Sequence, residues 1–90
     1  MTQQTEIIRK RQALFARTGT PALLASAMML DALTGMTREE RLTLAWVCQE
    51  LERRHPEVTP ALEAWVLDLD SPLSQVEALI AALPAEAVAA

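Results

Sequence analysis

Helix-start signals recur along this chain at intervals too short for any long element. Three hydroxyl–proline pairs occur, at Thr20-Pro21, Thr59-Pro60 and Ser71-Pro72. Proline suits the first helical position, because its missing N–H would find no intrahelical partner there. The preceding hydroxyl can accept a hydrogen bond from a free N–H of the first turn. A fourth start, Thr37-Arg38-Glu39-Glu40, has the capping-box form, with Thr37 as cap and Glu40 reaching back. Stop signals accompany them: Gly19, Gly35, the residue before Pro56, and Pro84.

These signals predict five helices, over residues 3–17, 21–33, 38–54, 60–69 and 72–83, with Asp70 and Ser71 capping the last. Residues 1–84 then form a single helical domain, and 85–90 a frayed C-terminal tail. Alanine and leucine dominate, tyrosine is absent and only two glycines occur, which supports helices and gives strands little. With 51% hydrophobic residues and a mean hydropathy of +0.14, the chain is too apolar to stay disordered. The expected fold is all-α: a compact bundle of about five short helices in irregular or orthogonal packing. Helix 2 should be central, with helices 4 and 5 as outer walls.

The helix faces carry the functional reading. Leu62, Trp65, Val66 and Leu69 form one stripe on helix 4, and Leu73, Val76, Leu79, Ile80 and Leu83 one on helix 5. Both patterns are those of helices laying one side on a core. Helix 2 is apolar nearly all round, through Leu23, Leu24, Met28, Met29, Leu30 and Leu33. Helix 3 has two apolar sides, Leu44, Val47, Cys48 and Leu51 on one and Leu42, Ala45 and Trp46 on the other. Two such helices are hard to bury within 90 residues. Leu24, Met28, Met29, Leu42 and Trp46 are therefore the candidate protein interface, since methionine adapts to partner surfaces and tryptophan is enriched at interface hot spots. The competing reading assigns all five to the core.

Reactive chemistry is poorly supplied. The single cysteine, Cys48, and single histidine, His55, stand about 10 Å apart along helix 3, too far for a thiolate–imidazole pair. Cys48 reads as a small buried hydrophobe and His55 as a group at a helix C-terminus. One Cys and one His cannot build a zinc site without carboxylates, and Asp68/Asp70 lacks the ligand alternation and glycine of a calcium loop. Two isolated glycines cannot form a phosphate-binding loop. No catalytic residue, cofactor or metal is expected, and the chain is read as a non-enzyme.

Net charge is −4, which speaks against general affinity for DNA or anionic membranes. The charge is uneven. Residues 1–35 carry Arg9, Lys10, Arg11 and Arg17 against Glu6 and Asp31, whereas residues 36–90 hold a large acidic excess. Such asymmetry can orient a head-to-tail contact or steer a partner. Arg9, Lys10, Arg11 and Arg17 are also the candidate nucleic-acid residues of an alternative reading, a small DNA-binding regulator using helix 1. Arg11 projects amid Ile7, Ile8, Leu14 and Phe15, where its stem can lie on apolar surface.

The absence of a secretory signal, an apolar stretch from Pro21 to Leu33 well short of the about 20 residues that span a bilayer, and a lone cysteine predict a cytoplasmic protein with no membrane partner. The first reading is a protein–protein interaction module, whether adaptor, inhibitor or self-associating subunit. Its partner is another copy of itself or a different protein, with nucleic acid disfavoured.

Overall fold

The computed structural model describes residues 2–89, with side-chain environments for residues 5–88. It is an all-α bundle: α1 (Thr2–Arg17), α2 (Thr20–Asp31), α3 (Arg38–Arg54), a single 3-10 turn (Pro56–Val58), α4 (Thr59–Leu67), α5 (Gln75–Ala82) and α6 (Ala85–Ala89). No strand occurs among the described residues.

Helix α3 forms where its capping box predicts. The Thr37 hydroxyl accepts from Glu40 N–H at 3.1 Å, and Glu40 Oε1 accepts from Thr37 N–H at 2.8 Å. Glu39 and Glu40 in the first turn and Arg53 and Arg54 in the last complement the helix dipole. Gly35, in the turn before it, takes φ +69°, a conformation that side chains with a Cβ rarely adopt.

The hydroxyl–proline pairs behave differently from the expectation. Pro21 and Pro60 do lie in first turns, but neither Thr20 nor Thr59 caps its helix; the cap positions are Gly19 and Val58. Both hydroxyls are used across the fold instead. Thr20 Oγ1 accepts from Arg54 Nη1 at 3.1 Å, and Thr59 Oγ1 donates to Glu52 Oε2 at 2.6 Å. Ser71-Pro72 starts no helix. The cap of α5 is Ser74, which forms a second capping box with Glu77, so α5 begins at Gln75 rather than 72. The segment expected to fray after Pro84 is the short helix α6, and α2 is one of the elements it packs against. Residue 90 lies outside the described residues.

Helix α2 packs most extensively on α3 and also meets α5 and α6, so it is central as expected. The core joins Leu23, Leu24 and Ala27 of α2, Val47, Cys48 and Leu51 of α3, Val58 of the 3-10 turn, Leu62 of α4, and Val76, Ala78, Leu79 and Leu83 around α5. Each fully buried leucine contributes about 2–3 kcal/mol of transfer free energy. Helix α1 is peripheral, with its main packing on α3 and, among its described side chains, only Phe15 against the core cluster. The Cα radius of gyration is 13.5 Å, somewhat above the about 12 Å of a fully compact chain of this length.

Candidate functional site

The five residues expected to form an interface do not form one surface. Leu24 is only 6% exposed and belongs to the core, because the α2 face carrying Leu23, Leu24 and Ala27 is the one pressed on α3 and α5. Met28 and Met29, on the outer side of α2, are exposed. Met28 borders a cleft of about 190 Å³ with Pro21, Ala25, Ile80 and Val88. Leu42, on α3, is exposed too. Trp46 is half-buried beneath Arg11, whose guanidinium carbon lies 5.6 Å from the ring centroid. The two apolar helices thus divide their sides between core and solvent, and Met28 and Trp46 border different clefts.

Trp46 lines a cleft of about 590 Å³ between α1 and α3, with Phe15, Gln49, Glu50 and Arg53 among its walls. The charged groups there satisfy one another. Glu50 accepts from Arg53 Nε at 3.0 Å and Nη2 at 2.6 Å, and from Arg54 Nε at 2.7 Å. The Arg53 hydrogen bond, aided by that from Arg54 and opposed by burial, holds the Glu50 carboxyl down to about 2. Arg54 spends Nη1 on Thr20 at the start of α2 and Nη2 on the end of α1. Its Nη2 donates to the carbonyls of Phe15 at 2.8 Å, Ala16 at 3.3 Å and Thr18 at 2.5 Å. These are the carbonyls a helix C-terminus leaves without partners. A carboxylate so fully paired with two arginines of its own helix braces the Arg54 side chain that reaches α1 and is not a proton carrier at neutral pH.

Cys48 is buried as expected. Burial foremost, then the charges of Asp31 and Glu52, pushes its thiol up to about 11, so the reactive thiolate is suppressed at neutral pH. His55 is the C-cap residue of α3, with Nδ1 3.5 Å from Glu57 Oε2. Among the described residues no group of three or more His, Cys, Asp or Glu is placed to hold a metal ion. Nor, among them, is any helix long and apolar enough to cross a membrane. Of the basic residues on α1, Arg9, Lys10 and Arg17 are exposed, while Arg11 is turned onto Trp46.

The most exposed apolar side chains lie elsewhere. Leu67 is 83% and Leu69 94% exposed at the end of α4 and in the connection to α5, flanked by exposed Val66 and Leu73. Val66, Leu69 and Leu73 were expected to face the core. Helix α4 stops at Leu67 and α5 starts at Gln75, so Leu69 and Leu73 lie on no helix and the predicted stripes break there. The connection is held by its own hydrogen bonds. Trp65 Nε1 donates to the Leu73 carbonyl at 2.7 Å, Ser71 N–H to the Asp68 carbonyl at 3.2 Å, and Leu73 N–H to Ser71 Oγ at 3.3 Å. Asp68 Oδ1 also accepts from Asp70 N–H at 3.2 Å. A cleft of about 280 Å³ opens there between Trp65, Val66, Leu69 and Leu73. Comparison with known protein families, curated proteins and solved structures found no match. The sequence signal for this patch was Ser74-x-x-Glu77, a second capping box, which makes residues 68–74 a connection.

Proposed function

We propose that this protein is a non-enzymatic protein–protein interaction module. The observation that carries the reading is the Leu67/Leu69 pair, nearly fully exposed at the end of α4 and in a connection whose backbone is tied by hydrogen bonds. Leucines turned outward on an ordered segment are a preformed contact surface, and binding there forfeits little chain entropy. Met28, Met29 and Leu42 add further exposed apolar area on α2 and α3. The suppressed Cys48 thiol and the fully paired Glu50 carboxylate support a non-enzyme, and the cytoplasm is the compartment proposed for a chain with one free thiol.

Molar mass by light scattering, over a concentration series from about 1 μM to about 1 mM, tests association directly. Mass rising with concentration in the parent protein, and lost in L67S/L69S at unchanged helicity, is the expected outcome. A parent protein that stays at 9.9 kDa and retains no partner from its host's extract would end this reading.

DNA binding through Arg9, Lys10, Arg11 and Arg17 has less support, because the Arg11 guanidinium is committed to Trp46 and the chain is acidic overall. No retention on DNA at low salt is expected.

A further inference from the structure

Two exposed faces of opposite charge character stand on different parts of this chain. On α1, Ile7, Lys10, Leu14 and Arg17 fall within a sector of about 80° at 100° per residue, and all four are exposed. Glu6 lies at the edge of that stripe. The half-buried residues of α1, Arg11 and Phe15, occupy the neighbouring sector, which faces α3. The stripe is thus basic and apolar together. From His55 onward the chain has no Lys or Arg, while Glu57, Glu63, Asp68, Asp70, Glu77 and Glu86 are all exposed. Within that acidic half, Asp68 and Asp70 alternate with the exposed Leu67 and Leu69.

We propose that the occupant of the Leu67–Leu73 connection is the Ile7–Lys10–Leu14–Arg17 stripe of a second copy, so that the protein associates head to tail. The inference rests on the interaction reading above and names its partner. Charge decides between the symmetric and the head-to-tail arrangement. A two-fold contact of connection on connection would set Asp68 and Asp70 against their own copies, and stripe on stripe would oppose Lys10 and Arg17 likewise. Like charges so placed are destabilising. Stripe on connection brings leucine and isoleucine onto leucine, with Lys10 and Arg17 beside Asp68 and Asp70. The Arg54 bonds and the Arg11–Trp46 contact hold α1 on α3 of its own copy. Its outward stripe is therefore offered to a neighbour. Each added copy leaves one stripe and one connection uncovered, so growth continues until a ring closes.

The deciding experiment mixes two variants that each lack one face. I7S/L14S retains the connection, and L67S/L69S retains the stripe. Circular dichroism should show parental helicity in both, since the replaced side chains are exposed. Each alone should remain monomeric, and a 1:1 mixture should form a heterodimer of about twice the chain mass, limited to two because only one complementary pair of faces survives. Should either variant misfold, the charge-reversed pair K10E/R17E and D68K/D70K serves: each alone loses association, and their mixture recovers it. Raising salt from about 50 mM to about 500 mM should weaken parental association roughly tenfold. A parent that associates while the mixture stays monomeric overturns the head-to-tail arrangement but leaves the interaction reading intact. A parent that is monomeric throughout overturns self-association, and the interaction reading then stands or falls on whether L67S/L69S loses a partner that the parent retains.

Discussion

The Arg54 guanidinium, on the last turn of α3, donates to the Phe15 carbonyl near the end of α1 at 2.8 Å, across 39 positions of sequence. The same side chain reaches Thr20 and Glu50, so one residue closes α1, touches the start of α2 and anchors both to α3. Arginine can do this because its planar fork carries five donors.

Replacing Arg54 with lysine should therefore not be conservative, because a single ammonium cannot serve Glu50, Thr20 and the carbonyls together. We expect a loss of about 2 kcal/mol, a fall in Tm on the order of 10 °C. Hydrogen exchange should quicken in α1 more than in α5. A thermal melt with Tm unchanged in R54K would contradict the assignment.

Ser74 holds two elements at once. Its hydroxyl accepts from Glu77 N–H at 3.1 Å and donates to Asp31 Oδ2 at 2.8 Å, linking the start of α5 to the end of α2. S74A should cost about 1–2 kcal/mol, whereas S71A, which loses only the 3.3 Å bond from Leu73 N–H, should cost less, about 0.5 kcal/mol. Urea midpoints of the two variants give the comparison.

Glu50 predicts an acid-sensitive component of stability. Its carboxyl titrates near 2 in the folded chain, below its ordinary 4.5, so folding is favoured by the ionised form. That stability is fully present above the ordinary value and is lost as pH falls from about 4.5 toward about 2. E50Q should be less stable than the parent near neutrality and approach it across this window, as read from denaturant midpoints. A difference that does not change with pH would exclude the linkage.

Leu24 and Met29 separate core from surface on a single helix. L24A should cost about 2–4 kcal/mol through a cavity between α2 and its neighbours, while M29S should leave stability within about 0.5 kcal/mol. Equal losses in thermal melts would mean that Met29 is buried in solution.

The helical class, the extent of α3 and the apolar face that carries Cys48 were legible in residue order, because each depends on neighbours in sequence. Thr37 caps through Glu40 only three residues away, and Cys48 shares its face with Val47 and Leu51. The exposure of the five candidate interface residues was legible only in part. Met28, Met29 and Leu42 are exposed as an interface requires, but Leu24 is core and Trp46 is shared with Arg11. Helical periodicity identifies which residues share a face, but not which of two apolar faces another helix will cover.

What residue order alone determined about this protein is local. Capping boxes, prolines and glycines set where helices can begin and end, since each satisfies or denies backbone groups within one turn. Only the tertiary structure decided how those helices divide their surfaces. Thr20 and Thr59, local capping candidates, were drawn instead to Arg54 and Glu52, partners distant along the chain or a helix away. Leu69 and Leu73 match a core stripe in periodicity, yet α4 stops at Leu67, α5 waits for Ser74 to meet Asp31, and the leucines between them stay in solvent. A hydrogen bond or a buried face chooses among all partners that folding brings near, and that choice is made in space.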